Sequence, residues 1–387
     1  MELDQHLSHQ PLGLYVHLPW CVKKCPYCDF NSHALKGDLP AGDYLQALLL
    51  DLEHDLPLAW GRSVQTVYFG GGTPSLFSAR QIDDLLGRLR SLVTFSPEAE
   101  ITLEANPGTI ERDSFTAYCE AGVNRVSLGA QSFDEASLQR IGRIHGPGEI
   151  EQAVESLHAA GLANFNIDLM YGLPEQTLDL SITDMERALA CEPAHVSHYN
   201  LTLEPNTAFA ANPPALPDAE ACWDMQEACG ELLAGRGFEH YEISAWARPG
   251  KACRHNLNYW RFGDYHGIGA GAHAKLTLPS EGRITRLAKQ RHPRRYLAAR
   301  QDGSWLAECR DLDEAERVFE YFLGAVRLSE PIRKSAFSDA TGLGLEAAEK
   351  PLLEAFEKGL MEDHDTDIAI TALGRRFNND LQAIFLP

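Results

Sequence analysis

His17-Leu18-Pro19-Trp20-Cys21-Val22-Lys23-Lys24-Cys25-Pro26-Tyr27-Cys28 sets three cysteines at a four-then-three spacing just after a short apolar run, Leu14–Leu18. A run of that length reads as a strand, so the thiols fall on the loop at its end. Three thiolates this close can converge on one metal site. A closed structural zinc site needs a fourth ligand. None is obvious at the usual distance, where Asp29, Phe30 and Asn31 follow and then His33. Zinc completed by His33 or another ligand is one reading. The other is a [4Fe–4S] cluster, which usually takes four thiolates; three leave one iron with an open position, where chemistry can happen.

The rest of the chain sets the context. Its 387 residues carry 34 Lys+Arg against 55 Asp+Glu, a net charge of −21. That acidity argues against non-specific binding to nucleic acid or to an anionic membrane. Six further cysteines (Cys119, Cys191, Cys222, Cys229, Cys253, Cys309) are scattered and read as plain thiols, so the total of nine is odd. Met1 to Gln10 is polar and has no basic start followed by an apolar run, unlike a signal peptide. No stretch approaches the ~20 apolar residues of a membrane span. The expectation is a soluble cytoplasmic protein, where a cysteine cluster means metal or catalysis rather than a disulfide.

Strand-like runs at Leu14–Leu18, Thr66–Phe69, Glu100–Glu104, Arg125–Gly129, Asn164–Met170 and His195–Leu203 alternate with helical periodicity at Asp43–Leu56, Ala79–Leu92, Arg112–Ala121, Gly148–Ala160 and Leu178–Cys191. This alternation predicts βαβ units and a parallel sheet, doubly wound or part of a barrel. The strand ends carry polar or glycine residues, where chemistry gathers on such folds. Beyond the Pro-rich loop Asn212–Pro217, the pattern predicts a helix at Asp218–Arg236 and strands at Phe238–Trp246 and Glu281–Ala288. Between those strands lies a Gly/His-rich turn, Tyr265–His273. From Leu312 onward, helices (Glu314–Leu328, Lys334–Ala340, Leu345–Lys358) precede a hairpin-like acidic segment, Leu360–Thr371, and then Leu373–Ile384. This resembles a winged helix with an acidic tip, Glu362–Asp367, unsuited to DNA.

Cys-x3-Cys-x2-Cys after the first strand of an α/β chain resembles the radical S-adenosylmethionine (SAM) superfamily. Gly70-Gly71-Gly72-Thr73-Pro74-Ser75, Ser127-Leu128-Gly129-Ala130-Gln131-Ser132-Phe133 and Asp168-Leu169-Met170-Tyr171-Gly172-Leu173-Pro174 extend the likeness. They are similar to the oxygen-independent coproporphyrinogen III oxidase family, and within it to the HemW-type heme chaperones, over nearly the whole chain. The resemblance implies an α/β fold: a partial (β/α)6 barrel over 1–210, a barrel extension with the heme motif over 211–311 and a small winged-helix-like α+β domain over 312–387.

It also implies cofactors and their ligands. Cys21, Cys25 and Cys28 would hold a [4Fe–4S] cluster whose open iron is chelated by SAM, and reduction of the sulfonium would release a 5′-deoxyadenosyl radical. Gly70, Gly71 and Gly72 let backbone approach the ligand, and Thr73 offers a hydroxyl. Arg143 matches the cation for the SAM carboxylate. Glu104, Gln131 and Asp168, at strand ends, suit ribose hydroxyls or the ammonium. Tyr15 and Tyr27 match SAM-contacting aromatics, and Thr202 completes the set.

The oxidases of this family carry a fourth cysteine two residues after the third, where this chain has Phe30. That departure disfavours oxidative decarboxylation of coproporphyrinogen III, the alternative activity, and a winged-helix regulator with a sensing cluster is disfavoured by the charge. HemW-type proteins instead carry His-Asn-x-x-Tyr, here His255-Asn256-Leu257-Asn258-Tyr259. The resemblance implies heme binding at His255, Asn256 and Tyr259, since imidazole and phenolate can both be axial ligands. The implied partners are heme or a porphyrin and an acceptor hemoprotein. Membrane contact is expected only through that acceptor.

Overall fold

The computed structural model describes residues 7–59, 61–108 and 113–387. Strand β1 (Leu12–Leu18) runs into a loop whose ends pair as β2 (Trp20–Cys21) and β3 (His33–Ala34). Then come α1 (Ala41–Ala59), β4 (Ser63–Gly71), α2 (Ala79–Leu92), β5 (Thr94–Ala105), α3 (Phe115–Glu120), β6 (Arg125–Gln131), α4 (Glu135–Arg140), α5 (Pro147–Ala159), β7 (Phe165–Tyr171), α6 (Leu178–Ala190) and β8 (His195–Asn200). The extension holds α7 (Ala208–Ala211), α8 (Ala219–Gly235), β9 (Glu239–Glu242), β10 (Ala245–Ala247), α9 (Arg254–Trp260), β11 (Asp264–Ile268), β12 (His273–Leu278), β13 (Arg283–Lys289), α10 (Pro293–Ala298) and β14 (Leu306–Asp311). The C-terminal part contains α11 (Glu314–Ala325), β15 (Ile332–Arg333), α12 (Lys334–Thr341), α13 (Glu349–Glu357), β16 (Met361–Asp363), β17 (Asp367–Ile370) and two short helices, Ala372–Arg376 and Asn378–Ile384.

One twelve-stranded sheet orders these strands β14-β13-β12-β11-β1-β4-β5-β6-β7-β8-β10-β9. From β11 through β8 every pair is parallel, and at both flanks the pairing is antiparallel. The six strands β1 and β4–β8 alternate with helices, the expected partial (β/α)6 unit, and the sheet is open rather than a closed barrel. Parallel strands covered on both faces need apolar residues on both. β6 accordingly has all seven residues buried. Helices cover the strands through faces such as Tyr44, Leu45, Leu48, Leu49 and Leu52 of α1, all buried and spaced as one helical stripe. Side chains set where helices begin. Ser78 and Gln81 form a capping box on α2, and Asp134 caps α4 through the Ser137 amide at 2.7 Å.

The departures have local causes. The strand expected at Phe238–Trp246 is a tight antiparallel pair, β9 and β10, turning at Ile243-Ser244. The Gly/His-rich stretch is not a turn throughout, because Asp264–Ile268 lies beside β1 in the middle of the sheet. Glycine hides this strand: a Cβ on Gly267 would fall 1.9 Å from the His273 carbonyl oxygen. The helix expected at Arg112–Ala121 begins at Phe115 behind its Ser114 cap, and Arg112 lies outside the described residues. In the C-terminal part, β15, β17 and β16 form an antiparallel sheet with the expected acidic tip. Its helices close a second apolar cluster around Phe322, Phe337 and Leu381. Among the described residues, no helix is long and apolar enough to cross a membrane.

Candidate metal and cofactor site

The cysteine loop is pinned from two sides. The amide of His33 donates to Pro19 O at 2.7 Å and that of Leu35 to Cys21 O at 2.8 Å. From the turn after β4, Gly72 N donates to Leu18 O at 2.8 Å and Thr73 N to Trp20 O at 2.7 Å. That approach requires glycine. A Cβ on Gly72 would lie 2.5 Å from the Trp20 carbonyl oxygen, and Gly71 takes a φ of +117° with its Cβ position 2.6 Å from the His17 ring.

A cavity of about 390 Å³ opens at the carboxyl ends of the parallel strands, where such folds place their ligands. Cys21, Cys25, Tyr27 and Cys28 line it from the loop. Gly71, Gly72 and Thr73 line it from the turn, Glu104 from β5, Gln131 from β6 and Asp168 from β7, with Arg143 and Thr202 completing the wall. Of the residues expected at the SAM site, Gly70 and Tyr15 do not line this cavity; Gly70 sits one residue before the turn that does, and Tyr15 lies elsewhere. Tyr15 lines a neighbouring cavity of about 800 Å³ that shares Asp29, Phe30, Gly71 and Glu104 with the first.

The groups are held by hydrogen bonds. Glu104 accepts from the Tyr68 hydroxyl at 3.0 Å and the Gly71 amide at 3.1 Å. Burial, then the neighbouring Asp168 charge, pushes its pKa up to about 7. Asp168 accepts from Asn166 at 2.7 Å and Ser127 at 3.1 Å, and burial raises its pKa too. Arg143 donates to Gly129 O and Asn106 Oδ1, both at 2.5 Å, and points a third N–H at Cys25 Sγ, 3.7 Å away. Burial opposes its charge, but Tyr27 and Cys25 outweigh this and raise its pKa. Gln131 accepts from Tyr199 at 2.6 Å and sits at φ 72°, a left-handed conformation that costs a non-glycine residue energy and clusters at functional sites. The Thr202 hydroxyl donates to Glu204 at 2.8 Å. Burial raises the thiol pKa of Cys21 and Cys28.

The residues fit the implied groups. Arg143 keeps its buried Nε–H without a partner, an orphan donor that a carboxylate would satisfy. All three thiols are free and half-buried. Among the described residues, no three His, Cys, Asp or Glu side chains gather tightly enough for a single ion, whereas a polynuclear cluster takes one thiolate per iron. His33, the candidate fourth zinc ligand, does not line the cavity; its ring packs on His292, 5.4 Å between centroids.

The heme motif lies on α9 and is not assembled as three open ligands. His255 is 1% exposed, and both its ring nitrogens are engaged: Nδ1 with Thr66 Oγ1 at 2.7 Å and Nε2 with the Tyr259 hydroxyl at 3.2 Å. Burial, then the Arg125 charge, lowers its pKa to about 3. Asn256 lines neither cavity at the strand ends, and Tyr259 lines the larger one.

Two contributors escaped the sequence reading. Asn106 bridges Thr73, at 2.9 Å, and Arg143. Tyr199 anchors Gln131 from β8. Both follow the rule that revealed Glu104 and Asp168, polar residues at the end of an apolar strand.

Fold and thiol loop define a class, the radical SAM superfamily, whose sequence model matches residues 15–184. The HemN C-terminal domain model matches residues 312–377. Heme chaperone HemW of Escherichia coli (strain K12) is 49% identical over 376 residues, covering 97% of this chain and 98% of its own. Heme chaperone HemW of Haemophilus influenzae is 47% identical over 380 residues, with coverages of 97% and 98%. Among solved structures, coproporphyrinogen III oxidase (HemN) from Escherichia coli shares the fold, with a TM-score of 0.82 at 24% identity over 97% of this chain and 90% of that one. This chain belongs to the HemW heme chaperone family.

Proposed function

We propose that the protein holds a [4Fe–4S] cluster on Cys21, Cys25 and Cys28, binds SAM across the strand ends, and carries heme to an acceptor hemoprotein in the reducing cytoplasm. The observation that carries this reading is the pair of adjoining cavities, one walled by the three thiols and the strand-end polar groups, the other by aromatic rings. The names of its relatives support heme as the cargo. Phe30, 61% exposed on the wall the cavities share, supports carriage over coproporphyrinogen oxidation, because it stands where the oxidases have their fourth cysteine.

Each side chain then has a task. Arg143 pairs with the SAM carboxylate through its unpartnered Nε–H. Glu104 and the glycine-turn carbonyls accept from the ammonium. Asp168 and Gln131 take ribose hydroxyls, and Tyr27 covers the adenine. Arg143 also points an N–H at Cys25 Sγ, 3.7 Å away, which fixes that side chain at the edge of the site. When bound, the cluster would supply the electron for reductive SAM chemistry.

Anaerobic reconstitution tests the proposal. Roughly four irons with matching sulfide per chain are expected, and Cys25→Ser should lose them. Reconstituted protein given SAM, reductant and coproporphyrinogen III should form no protoporphyrinogen. Zinc without iron or sulfide would overturn the cluster assignment, and protoporphyrinogen formation the chaperone assignment.

A further inference from the structure

We propose that a basic surface beside the cysteine loop is the docking face for an acidic protein, the acceptor that takes the heme. The inference rests on the heme-carrying reading above and gives that partner a place and a charge.

Two segments build the face. Residues 21–38 and 290–301 together hold seven Lys and Arg against two Asp, a local charge of +5. The chain as a whole carries −21, which leaves −26 on the remainder. The segments touch: Asn31 Nδ2 donates to Arg291 O at 2.9 Å, and the His33 and His292 rings lie 5.4 Å apart. Burial, then the charges of His292, Lys24 and Arg291, lower the pKa of His33, so cations from both segments act on one spot. Lys23, Lys24, Lys36, Arg291, Arg294 and Arg295 are all exposed. Lys24 donates to the carbonyls of Phe30 at 3.0 Å and Ser32 at 3.2 Å. Among the described residues, Arg300 is the cation of these segments that meets a carboxylate, Asp43 at 2.8 Å.

Stability does not account for this cluster. Like charges repel, and Arg294 stands at the second position of α10, where the helix dipole disfavours a cation. Apolar groups share the cysteine loop, with Val22 51% and Phe30 61% exposed. Exposed aromatic and apolar groups beside arginines are the composition of a protein interface. The place fits delivery. Lys23 lines the thiol cavity, Arg291 the neighbouring one and Phe30 both, so a partner seated here meets both cavities. Charge then sets its orientation. An acidic body is repelled by the remainder of the chain and drawn to this face, and complementary fields of this kind govern encounter rate and register more than affinity. An anionic bilayer is a wider plane that would also face the acidic remainder, whereas a compact protein covers the basic face alone.

The test uses the full-length protein with apocytochrome b5, a small acidic apohemoprotein, as the probe. Carbodiimide joins lysine amines to carboxylates without a spacer, and the heme-free protein should crosslink to the probe through Lys23, Lys24 and Lys36. With heme loaded, transfer to the probe should slow as salt screens the charges. Arg294→Glu with Arg295→Glu, which line neither cavity, should slow it about tenfold at low salt, the lower end of electrostatic steering. Lys251→Glu with Lys350→Glu makes the same change in net charge on other exposed positions and should leave the rate unchanged. Lys36→Glu should act in the direction of the arginine pair, and it serves if that variant does not fold. Equal rates in the two double variants, a wild-type rate indifferent to salt, or crosslinks spread over Lys251 and Lys350 would each overturn the proposal. So would an arginine variant that loses only its binding to phosphatidylglycerol vesicles, which would give the face to a membrane. Wild type that takes up no heme would overturn the chaperone reading, while the crosslinks still decide the docking face.

Discussion

Glu104 is the most responsive group at the mouth. Its folded pKa, about 7, lies above the ordinary carboxylate value of 4.5. Between those values the folded chain binds more protons than the unfolded one, so this group's contribution to stability falls as pH rises through that window. A cationic ligand wants the carboxylate, so SAM affinity should rise from pH 6 to pH 8. Glu104→Gln should flatten that profile, and calorimetric titration of SAM across the range checks both statements. Gly72→Ala tests sterics instead. Its new methyl would meet Trp20 backbone at 2.5 Å, and overpacking of that kind costs ~1–3 kcal/mol. A lowered thermal midpoint together with lowered iron retention is expected.

At the scale of elements, periodicity was legible and glycine-rich pieces were not. The helical period read at Ala79–Leu92 returns as α2, which begins behind the Ser78–Gln81 capping box. Ser78→Ala should cost ~1 kcal/mol, read as a shift in the urea midpoint. β11 was not legible, because Gly267 and Gly269 resemble turn residues when no neighbouring strand is in view. The thiols, glycine turn and strand-end carboxylates could be read because each interrupts an apolar run. Asn106 and Tyr199 obey the same rule but lack charge or repetition to mark them. The orientation of His255 could not be read, because its burial depends on Thr66, 189 positions away.

The whole molecule is joined by a buried ion cluster that no local pattern advertises. Lys289 of β13 bonds Asp51 and Asp55 of α1, all within 2% of complete burial. Asp51 also accepts from Tyr296 at 2.5 Å and from the Gly269 amide at 3.2 Å. Burial raises the pKa of Asp51. At Asp55 burial pushes the same way, but the His266 hydrogen bond and the Lys289 charge outweigh it and hold the carboxyl well below its usual range. Removing one partner of a buried pair leaves an uncompensated charge, a loss of ~3–5 kcal/mol. Lys289→Met should therefore lower chemical stability by about that much. Lys289→Met combined with Asp51→Asn and Asp55→Asn should recover part of it, as denaturant titration of the variants would reveal.

β1 lies between β4 and β11, and this placement bears on how the protein is made. The chain emerges from the ribosome N-terminus first, so β4 appears soon after β1, while the other edge of β1 stays open until Ile268 is synthesised. Asn31, behind the cysteines, waits longer still for its ties to Ala270 and Arg291. Contacts so distant in sequence form late, because a long loop must close first. The thiols are thus translated well before the strand that locks their loop, which leaves an interval in which the iron and sulfide of the proposed cluster would enter before the mouth takes its final shape.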